Sequence, residues 1–495
     1  MAKKNISFPE VFLSDSSTTL AVSQMVKAGE ARKVGPRLYT RNMVESTEVI
    51  ISRNRWQIVR LLAPGSVIGF RTAFEGRPAG DGSIFVTGRY KRLITLPGLR
   101  IVQNKGACEV AGDMPFMGGL FMASQARYLM ENLAPTKVKE ATPRSVGQEG
   151  IEGRLTEILR VRRESELNKI RDHAREIAPF LGLEKEFEVL DRIIGSLMQT
   201  KKTKLITPVA KAYANGEPYD SARIERFNIL RGVLASNVLA SRQRAHTPEQ
   251  AFYNESFFDA YFSNFIEGTE FLVEEAIEIV FAGVIPKNRP EDAHDILGTY
   301  KVVGNYDEMR RVTGDFQMFL ELLQGRHSVI MEGRPHKRPG EFKEEGNRAG
   351  ATVFVAPELV HGTLRQGFDL YRSLEDPLAR ALYMMYLVSE VHPFDDGNGR
   401  VSRAMMNSEL IAAGMNRVII PSIYRNEYIA SLRLMTNHND PSSFIRVMVY
   451  AQEFVSRIDF SDLGAAKRVL EACNAFEKPD DNIKLKLPDP MVTNV

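Results

Sequence analysis

The chain has 495 residues, 43% hydrophobic and 26% charged, which is too long for one ordinary domain and is not the composition of a disordered or fibrous protein. The net charge of +3 gives no global argument for nucleic acid or an acidic partner. Two widely separated cysteines, Cys108 and Cys473, exclude a disulfide framework, and no apolar run reaches the roughly 18 residues of a membrane span, so a soluble, cytoplasmic protein with no membrane partner is expected.

Residues 1–60 carry ten Lys/Arg against five Asp/Glu. Leu20 to Lys27 has the spacing of a short helix, and Gly29 ends it as a C′ glycine does. Ala31 to Arg41 alternates around Gly35-Pro36, which predicts a small basic hairpin. Helix followed by basic hairpin is the shape of half a winged helix, so 1–60 is expected to be a winged-helix-like module. Lys27, Arg32, Lys33, Arg37 and Arg41 are its candidate contacts to DNA phosphates. Residues 61–145 read as a β-rich extension, with Ser83–Thr87 and Leu93–Leu96 as strands and Met117–Leu133 as a helix. Residues 149–214 read as a solvated helical connector, with Leu155, Ile158, Leu167 and Ile170 at near-helical spacing. Helical patterns dominate 215–475, and 476–495 is Pro- and charge-rich and expected to be disordered.

The chemistry is concentrated at His392-Pro393-Phe394-Asp395-Asp396-Gly397-Asn398-Gly399-Arg400, between an apolar helical run (Ala379–Glu390) and a second helix (Val401–Ala412). A helix N-terminus preceded by glycines is an anion site, because unpaired N–H groups point outward and the dipole favours phosphate. Asp396 offers an oxygen ligand to Mg²⁺, which usually binds one or two carboxylates plus substrate phosphates. Arg400 and Arg403 are neighbours on the helix and can both face a polyphosphate. His392 can act as a general base at neutral pH. Single elements of this kind recur by chance; roughly eight near-fixed positions in a row do not.

The segment resembles the motif of the Fic family, His-x-Phe-x-(Asp/Glu)-Gly-Asn-Gly-Arg-x-x-Arg, at every fixed position through Arg403. The resemblance implies a mainly α Fic domain, a helical bundle with a β-hairpin flap, behind an α+β N-terminal module. It implies transfer of AMP from ATP to a Ser, Thr or Tyr hydroxyl of a target protein, this chain itself included. By the same match His392 is the general base and Asp396 the Mg²⁺ ligand. Gly397, Asn398 and Gly399 form the anion nest, and Arg400 and Arg403 hold the β/γ-phosphates. Pro339-Gly340-Glu341-Phe342-Lys343 is similar to the stretch leading to the family's flap, with Lys343 in place of the more usual Arg; Gly340, Phe342 and Lys343 are the flap residues expected here. Tyr424, Tyr428 and Asn437 fall where the family lines its adenine pocket.

Thr247 to Gly268 has a helical pattern, with Thr247 as cap, Pro248 at N1 and Phe258, Tyr261, Phe262 and Phe265 as aromatic positions. It ends in Ser263-Asn264-Phe265-Ile266-Glu267-Gly268, which resembles the family's inhibitory motif; Ser263, Glu267 and Gly268 are its marked positions, and Glu267 is expected to pair with Arg403. The expected function is an autoinhibited protein adenylyltransferase. The alternatives are removal of AMP from a target through Glu267, and a DNA-binding regulator with a Fic sensor domain. Transfer of phosphocholine or phosphate is a variant within the enzyme class. The N-terminal region is similar to AbiEi-type antitoxins, which resemble winged-helix regulators. Oligomerisation is left open.

Overall fold

The computed structural model describes residues 8–136, 142–244, 248–479 and 482–489, in two compact units, Met1–Gly216 and Glu217–Val495.

In the first unit, helix Thr19–Lys27 stops where Gly29 turns left-handed at φ +73. The basic hairpin forms: Arg32–Gly35 pairs antiparallel with Leu38–Thr40, which also pairs with Val11–Leu13. Its arginines, however, are turned onto the protein's own backbone. Arg32 Nε donates to the Asn42 carbonyl (3.0 Å), Arg37 Nε to that of Ser14 (2.9 Å) and Arg41 Nη1 to that of Phe8 (3.0 Å). Lys27, Lys33, Arg37 and Arg41 are exposed residues, and Arg32 is half-buried.

A six-stranded mixed sheet follows, in the order Arg92–Leu96, Leu99–Lys105, Ser83–Gly88, Val67–Ile68, Leu120–Met122, Met114–Phe116. Within Met117–Leu133 only Gln125–Glu131 is α-helical. Leu120–Met122 is instead a strand, paired parallel with Val67–Ile68 and antiparallel with Met114–Phe116, and sheet pairing here overrides local helical propensity. Val11 and Leu38 share one apolar core with Ile50, Ile84, Ile101 and Leu120, so residue 60 does not separate two cores. The long charged stretch forms Gly147–Leu181, kinked at Arg163 (φ +68), and Glu184–Leu197. These helices bury Ile151, Leu155, Leu167, Ile170 and Ile194, so they pack as part of the unit instead of running as a solvated connector.

The second unit is helical. Its centre is Pro377–Val391, on which nearly every residue from Leu378 to Val391 is buried, packed against Asn398–Ala412. A helix apolar on nearly all sides belongs in a core. Helix Glu249–Ile266 is almost as buried, with Phe257, Phe258, Tyr261 and Phe262 in one cluster with Phe454 and Phe460. Pro248 is its N-cap rather than its first helical residue, and Thr247 lies outside the described residues. Asp259 on that helix pairs with Arg417 (2.8 Å) and accepts from Asn407 Nδ2 (3.0 Å), both fully buried. Part of the C-terminal stretch packs against the unit. Leu485 is buried in the same cluster, and Lys486 N–H donates to the Cys473 carbonyl (3.1 Å), because an apolar residue among the charges finds a core to enter. No described helix is long and apolar enough to cross a membrane.

Candidate active site

His392 caps the Pro377–Val391 helix in the left-handed region (φ +54, ψ +59), a conformation that a non-glycine residue holds only when its surroundings fix it. Lys343 supplies the fixing. Its Nζ donates to the His392 carbonyl (2.7 Å) and to Asn347 Oδ1 (2.6 Å), and its N–H donates to the Pro393 carbonyl (2.9 Å). Asn347 Nδ2 in turn donates to the Phe394 carbonyl (2.9 Å). Burial, with Arg223 adding repulsion, lowers the Lys343 ammonium to about 8. Gly340, Phe342 and Lys343 lie outside any hairpin among the described residues. The hairpin lies later, at Arg348–Ala349 and Thr352–Val353 with Gly350 at the turn, and the earlier residues are the stem that ties it to the motif.

The His392 ring stacks on Phe354 (centroids 3.7 Å apart, planes at 5°), and Nδ1 faces the Ser389 carbonyl at 3.3 Å. A carbonyl only accepts, so this contact puts the proton on Nδ1 and leaves the Nε2 lone pair available. Burial pushes the imidazole down to about 4, so it is neutral at physiological pH with its Nε2 lone pair unprotonated. His392 lines a cavity of about 580 Å³ with Gly399, Arg403, Glu267 and Tyr428, the hairpin residues Ala349 and Thr352, and a polar inner end at Tyr386, Glu390 and Thr436.

Gly397 (φ +74) turns the chain into helix Asn398–Ala412. The first amides of that helix have no intrahelical acceptor. The Asn398 side chain is spent within the loop: Oδ1 accepts from Phe394 N–H (2.9 Å) and Nδ2 donates to the Phe394 carbonyl (2.8 Å). Its contribution to an anion nest is its backbone. Gly399 marks the closest approach, since a Cβ there would lie 2.0 Å from Glu267 Oε1. The Glu267 carboxylate thus rests on the helix N-terminus, where an anion is favoured. Arg403 Nη2 donates to it at 2.7 Å, while Nε and Nη2 also donate to Ser263 Oγ and the Ser263 carbonyl (both 2.9 Å). Burial alone would lower the Arg403 guanidinium, but Glu267 and Tyr428 outweigh it and raise it. Arg403 is 3% exposed and Glu267 34%. Gly268 follows at φ +97.

Arg400 does not line the cavity. Nη1 pairs with Asp295 (3.0 Å) and Nη2 lies 3.6 Å from Asp396. The Asp396 carboxylate is 41% exposed and accepts from Gly397 N–H at 2.6 Å. No group of three metal-binding side chains exists among the described residues. One open carboxylate beside a phosphate-type nest fits Mg²⁺, which keeps water and phosphate oxygens in its shell. Tyr428 lines the cavity, buried, with Oη 3.4 Å from Arg403 Nη1. Asn437 is exposed and Tyr424 packs on Tyr450; one residue before Asn437, Thr436 faces the cavity and donates to Glu390 (2.7 Å). Phe354, Asn347 and Thr436 carry no motif, and sequence reasoning missed them.

Residues 318–410 match the Fic/DOC family. A Fido domain-containing protein of Dictyostelium discoideum is 37% identical over 100 residues, which cover 19% of this chain and 70% of that protein. The chain belongs to the Fic/DOC family. It is also 27% identical over 243 residues to a protein adenylyltransferase Fic of Drosophila persimilis (47% of this chain, 46% of the relative), and 26% identical to the adenylyltransferase fic-1 of Caenorhabditis briggsae (40% of each). It spans about half the length, or less, of these curated Fic adenylyltransferases. Among solved structures, Fic-1 (residues 134–508) of C. elegans aligns with a TM-score of 0.35 at 19% identity, over 69% of this chain and 91% of that one.

Proposed function

We propose that this Fic protein is a protein adenylyltransferase restrained by its own Glu267. The observation that carries the reading is one cavity holding a neutral His392, the open amides of a glycine-led helix and Arg403, with the Glu267 carboxylate resting between the last two. In the reaction, the oxygen of a protein hydroxyl bonds to the α-phosphorus of ATP and passes its proton to His392 Nε2. The bond from the α-phosphorus to its bridging oxygen breaks, and pyrophosphate leaves. The N-terminal amides of Asn398–Ala412 and Arg403 stabilise the phosphate charge. Asp396 would hold Mg²⁺, which supplies further charge neutralisation when bound with the nucleotide. The hairpin edge at Arg348–Val353 is where an extended target segment would add by strand pairing.

Glu267 competes for this arrangement. Its carboxylate takes the Arg403 donor and the helix N-terminus, the two features a terminal phosphate needs. The Glu267→Gly protein incubated with labelled ATP and Mg²⁺ is therefore expected to label itself or a target far more than the parent does, with an intact-mass increase equal to AMP. Equal labelling removes Glu267 from the account. Removal of AMP from a modified protein is the second reading, favoured by Glu267 and His392 lining the same cavity, where the carboxylate can orient water.

A further inference from the structure

His327 belongs to no motif and does not line the cavity, yet it is fully buried on helix Phe316–Ile330 directly behind the phosphate nest. Its ring lies flat on Phe394 (centroids 3.6 Å apart, planes at 4°). Nδ1 is 2.9 Å from the Gly340 backbone nitrogen, and Nε2 is 2.9 Å from the Asp396 carbonyl oxygen. These two partners fix the tautomer without further assumption. A backbone N–H can only donate, so Nδ1 accepts; a carbonyl can only accept, so Nε2 carries the proton. A protonated ring would lose the bond from Gly340, and the other tautomer would lose both.

One ring thereby joins three parts of the site: the motif phenylalanine, the turn at Asp396, and the stem that leads to the hairpin. The turn is the consequential contact. With the Asp396 carbonyl held toward His327, the peptide plane between Asp396 and Gly397 is set, and Gly397 N–H is directed to Asp396 Oδ1 (2.6 Å). Gly397 is packed on the same ring, since a Cβ there would come 3.2 Å from His327 Nε2 and 2.6 Å from Met331 Sδ. The direction in which the Asp396 carboxylate and the first amides of Asn398–Ala412 face is decided at this peptide.

We propose that His327, as the neutral Nε2–H tautomer, is a positioning residue that orients the phosphate nest and the Asp396 carboxylate for Mg²⁺-bound nucleotide. It acts through the loop and takes no proton from the substrate. The proposal rests on the adenylyltransfer reading for its kinetic consequence, and on the loop geometry alone for its effect on nucleotide binding.

The test compares His327→Gln, which keeps a donor toward Asp396, with His327→Phe, which keeps the stacked ring and loses both bonds. Both are made in the Glu267→Gly protein. For His327→Phe the KM for Mg-ATP and the Mg²⁺ concentration giving half-maximal rate are expected to rise by roughly tenfold or more, the cost of leaving a buried carbonyl unpaired. The kcat should fall much less, and His327→Gln should recover most of the KM. Equal KM values in parent, Gln and Phe proteins would overturn the proposal, as would an equal loss in Gln and Phe. The affinity for a fluorescent ATP analogue with Mg²⁺ is measured directly on the same set. If the Glu267→Gly protein transfers no AMP at all, the adenylyltransfer reading fails, and the binding series still decides the role of His327. Nitrogen NMR of ¹⁵N-histidine protein, with His327→Gln assigning the resonance, reads the tautomer; a proton on Nδ1 would also overturn the proposal.

Discussion

Two buried arginines, one in each unit, show how differently an ion pair can be used. In the first unit Arg127 is sealed: Nη1 meets Asp113 at 2.6 Å and Nε meets Glu131 at 2.9 Å, with both Arg127 and Asp113 at 0% side-chain exposure. Its remaining donors reach the carbonyls of Cys108 (2.7 Å) and Ala107 (2.9 Å). Glu131 also accepts from Phe70 N–H (2.8 Å), which holds that residue at its unusual φ of +51. In the second unit Arg403 is equally buried, but its partner Glu267 is 34% exposed and stands on the N-terminus of a glycine-led helix. The first arrangement surrounds the cation with two carboxylates and two carbonyls and leaves none of its side chain exposed. The second leaves a carboxylate at a place where another anion could replace it. Burial of the cation is common to both; an exchangeable partner separates a structural pair from a competitive one.

The largest expected effect is on chemistry. His392→Ala should lower AMP transfer in the Glu267→Gly background by about 10²–10⁴-fold, the range for loss of a positioned general base, while Mg-ATP affinity is retained. The rate of the Glu267→Gly protein should also stay flat from neutral pH to about 5. It should fall only as the imidazole protonates near 4, because the base works in its neutral form and burial holds it neutral. A residual rate in His392→Ala close to that of the Glu267→Gly protein would mean another group takes the proton, and a fall centred near the free-histidine value would mean that burial does not hold the imidazole neutral.

Next in size is the sealed pair. Arg127→Met leaves Asp113 and Glu131 buried without their cation, and breaking such a group costs about 3–5 kcal/mol. Trp56, the chain's one tryptophan, lies in the first unit against Phe116 (5.5 Å, near-perpendicular rings), so its fluorescence in urea follows that unit. A clear drop in the midpoint of that transition is expected, with Mg-ATP affinity unchanged. An unmoved midpoint would show that the cluster does not hold the sheet and helices together.

The motif was legible because its chemistry is local. Nine consecutive residues carry the base, the turn and the anion-binding helix start, and the helices on both sides follow from periodicity. The helix ending at Glu267 was also readable, since its aromatic spacing and terminal pattern lie within one segment. What was not legible depends on contacts made across the fold. The arginines of the basic hairpin look free in a list of charges, but each finds a backbone carbonyl that periodicity cannot foresee. Leu120–Met122 is a strand paired on both sides, with Val67–Ile68 and with Met114–Phe116. Asn437 is exposed while its neighbour Thr436 lines the cavity, since one residue along a helix turns a side chain by about 100°. Phe354 and His327 act by stacking on motif residues and have no signature of their own.

The smallest effect sharpens the comparison most. Glu267→Gly removes a carboxylate just as loss of Asp113 would, but it should cost only about 1 kcal/mol, as expected for a partly exposed pair. Arg403 keeps Ser263 Oγ, the Ser263 carbonyl and Tyr428 Oη as acceptors, so the cation is not stranded. The helix that carries Glu267 is held elsewhere, by its aromatic face and by Asp259 on Arg417 and Asn407. Hydrogen exchange across Glu249–Ile266 should therefore be unchanged by the substitution, and the Trp56 transition in urea should not move. Loss of protection along that helix would mean that the restraint is the docking of the whole helix; unchanged protection with raised nucleotide affinity would assign it to the carboxylate alone.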